Sequence, residues 1–77
     1  MNPIKQIRLN KNFTINKFAE LINSNFPTLK NAEQGNCKDV TSFNIIKKIC
    51  LQYNDIDEKK LIRAYKIWEK NIKSRRF

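Results

Sequence analysis

The segment from Thr14 to Gly35, TINKFAELINSNFPTLKNAEQG, constrains this chain more than any other stretch. Thr14 is a good N-cap residue, because its side-chain oxygen can accept a bond from an orphan amide of the first helical turn. Phe18, Leu21 and Ile22 then recur at helical spacing. Phe13, ahead of the cap, is placed to act as a hydrophobic staple. Ala19 is small, which lets another helix approach closely. Asn23, Ser24 and Asn25 interrupt the pattern with turn residues, and Asn23 suits a left-handed backbone. Asn25 can cap a second helix, whose first turn tolerates Pro27. Leu29 and Ala32 point inward, and Gly35 ends that helix as a C′ residue. The reading is two short helices joined by a tight turn.

The flanking sequence extends the helical pattern. Ile4, Ile7 and Leu9, interleaved with Lys5, Arg8 and Lys11, predict a first helix from Pro3 to Lys11, with Asn12 as its stop. After the loop NCKDV, Thr41 or Ser42 is expected to cap a fourth helix running to Tyr53. Its apolar stripe is Phe43, Ile46, Ile49, Cys50 and Tyr53, with Ile45 beside it. Asn54 and Asp55 make a turn. Asp57 caps a fifth helix in which Leu61, Tyr65, Trp68 and Ile72 form one continuous face. Its acids gather at the start and its bases at the end, as the helix dipole favours. Ser74 to Phe77 are expected to fray. A single Gly and two Pro argue against a many-stranded β fold, which needs more turn residues. The expected architecture is all-α: one domain over residues 1–77, with five helices and an extended C-terminal helix over 57–74.

With 77 residues the chain fits one small core. Its 40% hydrophobic and 30% charged residues match a folded domain rather than a disordered tail. Sixteen Lys plus Arg against seven Asp plus Glu leave a formal net charge of +9, which attracts polyanions. Nucleic acid is the commonest such partner, and an anionic membrane surface is the other. Cys37 and Cys50 form no CxxC and there is no His, so no zinc set and no metal site is expected. The N-terminus MNPIKQIRLNKN lacks the apolar core of a secretory signal, and no apolar run approaches the roughly 20 residues that span a bilayer. A cytoplasmic setting with free thiols is the expectation. An enzyme is not expected, since there is no His, no paired carboxylates on a helix face, no Gly-rich phosphate loop and no nucleophile beside a base. No cofactor is expected either.

Residues 4 to 53 resemble the lambda-repressor-like helix-turn-helix domain, also called the Cro or XRE type; with flanks, the family-like region runs over residues 3–55. The resemblance is carried by Ile4-Lys5-x-Ile7-Arg8, Phe13-Thr14, Phe18-Ala19-Glu20-Leu21-Ile22, Leu29, Glu33-x-Gly35 and Phe43-x-Ile45-Ile46-Lys47-Lys48-Ile49-Cys50. It implies a compact five-helix domain whose third helix enters the DNA major groove. The DNA contacts it implies are Thr14, Asn25, Phe26, Pro27, Thr28, Lys30, Asn31, Gln34, Asn36 and Lys38. Helical spacing places Phe26, Pro27, Lys30, Asn31 and Gln34 opposite Leu29 and Ala32. An Asn31 amide can bond adenine N6 and N7 together, and Lys30 can reach a guanine edge or a phosphate. Gln34, Asn36 and Lys38 are expected near the backbone, where they position rather than read.

Two positions depart from the family pattern. Phe26 and Pro27 stand where polar residues are usual, so thymine methyl contact, a protein contact or packing at the helix start are all open. Ile15 replaces a common phosphate-binding Gln, leaving Thr14 and the helix amides to hold that phosphate. The resemblance also implies a partly buried ion pair between Arg8 and Glu33, against the alternative of two separately solvated charges. On the C-terminal helix, Leu61, Tyr65 and Trp68 close the domain's own core in one reading. In a second, the helix is a dimer face that uses Ile67, Trp68 and Ile72 as well. A third, a basic amphipathic helix lying on a membrane, is the weaker because Leu61 and Tyr65 are needed for the core.

The functional expectation is a sequence-specific DNA-binding transcriptional regulator, a repressor of phage, mobile-element or antitoxin type. It would bind a two-fold double-stranded DNA operator as a homodimer, without a membrane role. The alternative is a protein-interaction module on the same scaffold, binding a regulator or an RNA polymerase subunit through Phe26-Pro27 or the Trp68 stripe. Charge-driven, non-specific nucleic-acid binding is a third reading. The excess of Asn, Ile and Lys is what an AT-rich bacterial or phage genome encodes.

Overall fold

The first helix begins where a buried asparagine meets a proline. In the computed structural model, which describes residues 1–75 and the side chains of residues 1–72, Asn2 caps helix α1 (Pro3–Asn10). Its Oδ1 accepts the amides of Ile4 at 2.8 Å and Lys5 at 3.1 Å. Pro3 follows at N1, where its missing N–H costs nothing. Helix α2 (Ile15–Leu21) is capped by Thr14, whose Oγ1 accepts from Lys17 N. Helix α3 (Phe26–Gln34) is capped by Asn25, whose Oδ1 accepts from Thr28 N. Helix α4 (Asp39–Gln52) has Lys38 at its N-cap with no side-chain bond. Helix α5 (Glu58–Arg75) starts after Asp57, whose Oδ1 accepts from Lys60 N at 3.1 Å. Among the described residues there are these five helices and no strand, so the all-α expectation holds.

The first three helices end on one backbone device. The residue after the last turn is left-handed: Asn12 at φ 61°, Asn23 at φ 60° and Gly35 at φ 74°. In each case the following amide reaches back five residues: Phe13 to the Arg8 carbonyl, Ser24 to Ala19, and Asn36 to Asn31. This is the Schellman pattern, which satisfies carbonyls that the helix leaves orphaned.

Ile4, Phe18, Ala19, Ile22, Leu29, Ala32, Ile45, Ile46, Ile49, Leu61 and Tyr65 form the core. Burying a large apolar side chain contributes about 1.5–3 kcal/mol. α2 packs on α3, α3 rests on α1 and α4, and α5 crosses α1 and α4. Phe13 stacks on Phe18 at 6.2 Å, as a staple should, and Phe18 stacks in turn on Tyr53 at 6.3 Å.

α1 ends at Asn10 with Lys11 as its cap, in line with the expected end near Lys11 and stop at Asn12. Three expectations are corrected. Neither Thr41 nor Ser42 caps α4, which starts at Asp39. The line α4 buries is Ser42, Ile45, Ile46 and Ile49, while Phe43, Cys50 and Tyr53 sit at its margin. The buried Ser42 hydroxyl has a partner on α5, so the helix turns that side inward. Ser74 and Arg75 continue α5 rather than fraying; Arg76 and Phe77 lie outside the described residues.

Candidate nucleic-acid interface

Helix α3 is divided lengthwise. Leu29, Ala32 and Glu33 are buried, whereas Phe26, Pro27, Lys30, Asn31 and Gln34 are exposed. The exposed line is the one the 3.6-residue repeat predicts for the side opposite Leu29 and Ala32.

Three attachments hold α3 from behind. Arg8 of α1 and Glu33 of α3 are each only 7% exposed. Arg8 Nε donates to Glu33 Oε2 at 2.9 Å and Oε1 at 3.2 Å, and Nη2 donates to Oε1 at 3.0 Å. The remaining Nη1 donates to the Phe13 carbonyl at 2.8 Å, tying in the entry to α2. A fork of this kind fixes orientation as well as distance.

The second attachment is the Ala32 carbonyl, near the end of α3. It accepts from Asn2 Nδ2 at 3.0 Å, from Tyr65 Oη at 3.1 Å and from its own C-cap amide, Gly35 N, at 3.3 Å. Tyr65 spends its proton there, so it accepts from Ser42 Oγ at 2.9 Å. Ser42 then accepts from the Cys37 thiol, 2.9 Å away. The chain Cys37–Ser42–Tyr65–Ala32 therefore has one direction, and it joins α3, the following loop, α4 and α5. Burial, the largest cause, pushes the Tyr65 hydroxyl up to about 12 from its ordinary 10.

The third attachment is Trp68 of α5, which closes over Gly35. A Cβ built on Gly35 would lie 2.9 Å from Trp68 Cη2. The turn between α2 and α3 has its own brace, because Lys48 Nζ donates to the Asn23 carbonyl at 3.0 Å.

The expected contact residues surround the exposed side of this unit. Thr14 and Asn25 spend a side-chain oxygen on their caps, leaving the Thr14 hydroxyl proton and the Asn25 amide to donate outward. Thr28 is half-buried behind the Asn25 cap. Asn36 Nδ2 donates to Gln34 Oε1 at 3.3 Å, so the Gln34 amide nitrogen is its outward group. Lys30 Nζ lies 5.7 Å from the centre of the Phe26 ring. Lys38 is exposed at the start of α4. Asn2, Ser42, Cys37 and Lys48 were not expected to support α3. An Asn directly before a helix-starting Pro is a cap signal for Asn2; the others have none in the local sequence.

Ile67, Trp68 and Ile72 do not form one face. Trp68 packs on Tyr65 at 5.5 Å between ring centres and on Gly35, as a core-closing residue. Ile67 is 57% exposed on another side of α5. Burial, with the carboxylates of Glu58 and Asp57 behind it, raises the Cys50 thiol above its ordinary value and keeps it from the reactive thiolate. Among the described residues no group of His, Cys, Asp and Glu could hold a metal ion. No described helix is long and apolar enough to cross a membrane. Comparison with protein-family models, with curated proteins and with solved structures returned no match.

Proposed function

We propose that this protein is a sequence-specific DNA-binding regulator of the lambda-repressor-like kind, which lays α3 in the major groove. In this reading it acts as a dimer on a two-fold operator and represses transcription in a bacterial cytoplasm, from a chromosomal or a phage gene. The observation that carries the reading is the presentation of α3: a helix held from behind by Glu33, the Ala32 carbonyl and Gly35, with Lys30, Asn31 and Gln34 turned outward. Base readout needs a side chain held within about half an ångström of its target, and a rigidly mounted helix supplies that. Asn31 is the adenine reader, and Thr14, Asn36 and Lys38 supply phosphate contacts around it.

The test is a gel shift on the DNA upstream of the gene, at two salt concentrations and with competitor. Specific binding survives competitor, whereas binding driven by charge alone collapses steeply as salt rises. Asn31→Ala relaxes preference at one base position. Lys38→Ala weakens all sequences alike and lowers the salt slope by about one. The dimer predicts a sedimenting mass near twice 9.2 kDa.

A second reading, a protein-interaction module using the leading edge of α3, draws support from Phe26. Phe26 is 39% exposed beside the exposed Pro27, and an apolar pair at a helix start suits a protein contact better than a base edge. Absence of any shift at low salt favours this reading.

A further inference from the structure

The excess positive charge is not on α3. That helix carries only Lys30 and the buried Glu33 as charged residues. Between Glu58 and Arg75 there are seven bases against two acids, an excess of five in a chain whose total excess is nine. Lys59, Arg63, Lys66 and Lys70 recur at i, i+4, i+7 and i+11, a stripe about 16 Å long. It runs along the side of α5 opposite the buried Leu61 and Tyr65. A shallow groove of about 420 Å³ lies on this side, lined by Lys59, Ile62, Arg63, Lys66 and Ile67, with no acid among them. Lys66 leans toward α4, its Nζ 5.4 Å from the centre of the Phe43 ring.

We propose that this outer face of α5 docks an acidic amphipathic helix of another protein. The partner's carboxylates pair with Lys59, Arg63 and Lys66, and its apolar residues rest on Ile62 and Ile67. Charge complementarity selects the partner. A second copy of this chain would set one cationic stripe against another, which costs energy at every approach. A nucleic-acid backbone satisfies the cations but makes no use of Ile67, a large apolar side chain more than half exposed beside the stripe. An acidic helix with apolar residues at helical spacing uses both features, as helix-in-groove recognition does. This surface is separate from α3, so it stands whether or not α3 reads DNA.

The experiment is fluorescence anisotropy at physiological salt. The probe is a labelled peptide of about four helical turns, built of Glu and Leu at amphipathic spacing; a reference peptide has every Leu replaced by Ser. The full chain binds the Leu peptide, and the Ser peptide binds at least about fivefold more weakly. Arg63→Glu with Lys66→Glu weakens the Leu peptide by about tenfold or more, and Ile67→Ser by about threefold. Lys17→Glu with Lys47→Glu, which removes the same net charge at exposed positions elsewhere, changes binding by less than about twofold. All these positions are exposed, and thermal melts check that each variant folds. Equal binding of the two peptides overturns the proposal, as does equal loss in the two charge-reversed variants. Displacement of the Leu peptide by random duplex DNA, with the same dependence on Arg63 and Lys66, overturns it in favour of a nucleic-acid surface.

Discussion

At the scale of single residues, the structure rests most heavily on the Arg8–Glu33 pair. Its three carboxylate bonds and the fourth to the Phe13 carbonyl engage every nitrogen of the guanidinium and tie α1 to α3 and to the entry of α2. Removing one partner of a buried pair costs about 3–5 kcal/mol, because the other charge is stranded. A chain of this length is stable by about 4–12 kcal/mol in all. Glu33→Ala is therefore expected to move the urea midpoint sharply downward at neutral pH, with Glu33→Gln in between. An unchanged midpoint for Glu33→Ala would mean that Arg8 finds water once its partner is gone. The pairing was expected only from the family resemblance that Arg8 and Glu33 carry. Its link to Phe13 was not, since a carbonyl leaves no trace in the residue type.

At the scale of elements, the helix ends explain where the one glycine of the chain is spent. Asn serves the left-handed position at Asn12 and Asn23, and it would serve equally at residue 35 if backbone conformation were the whole requirement. It is not, because Trp68 occupies the space of any Cβ there. Gly35→Asn is expected to destabilise by about 1–3 kcal/mol through overpacking and to shift the emission of Trp68, the sole tryptophan. Asn23→Gly keeps the carbonyl that Lys48 holds and is expected to stay within about 0.5 kcal/mol. Thermal melts followed by tryptophan fluorescence compare the two. A gain from Asn23→Gly as large as the loss from Gly35→Asn would show that the left-handed conformation, rather than Trp68, demands glycine.

At the scale of the whole molecule, Tyr65 joins α3, α4 and α5 through one hydroxyl. Its folded-state value of about 12 against an ordinary 10 sets a pH window. Below pH 10 the hydroxyl is neutral in both states, and its contribution is intact. Between pH 10 and 12 the unfolded chain loses the proton while the folded chain keeps it, so stability falls. Above pH 12 both are ionised and the loss levels off. Urea denaturation across this window is expected to show that fall, and Tyr65→Phe is expected to flatten it. Tyr65→Phe is also expected to cost about 1–3 kcal/mol at neutral pH, since the Ala32 carbonyl loses a donor and Ser42 keeps only its long 3.5 Å bond to the Lys38 carbonyl.

The local sequence by itself determined that there are five helices and most of their punctuation, though not the start of α4. Thr14, Asn25 and Asp57 cap, and Asn12, Asn23 and Gly35 turn left-handed, because each device closes within five or six residues of chain. The side of α3 that faces outward was legible too, since Leu29 and Ala32 mark its inner side. Tertiary structure alone decided which line of α4 is buried, because a run such as Phe43 to Cys50 is compatible with several phases of the same helix. It alone decided that Asn2 and Tyr65 meet at the Ala32 carbonyl, 30 and 33 residues away. Such choices depend on how five helices cross, and the residue types along one helix do not encode the position of its neighbours.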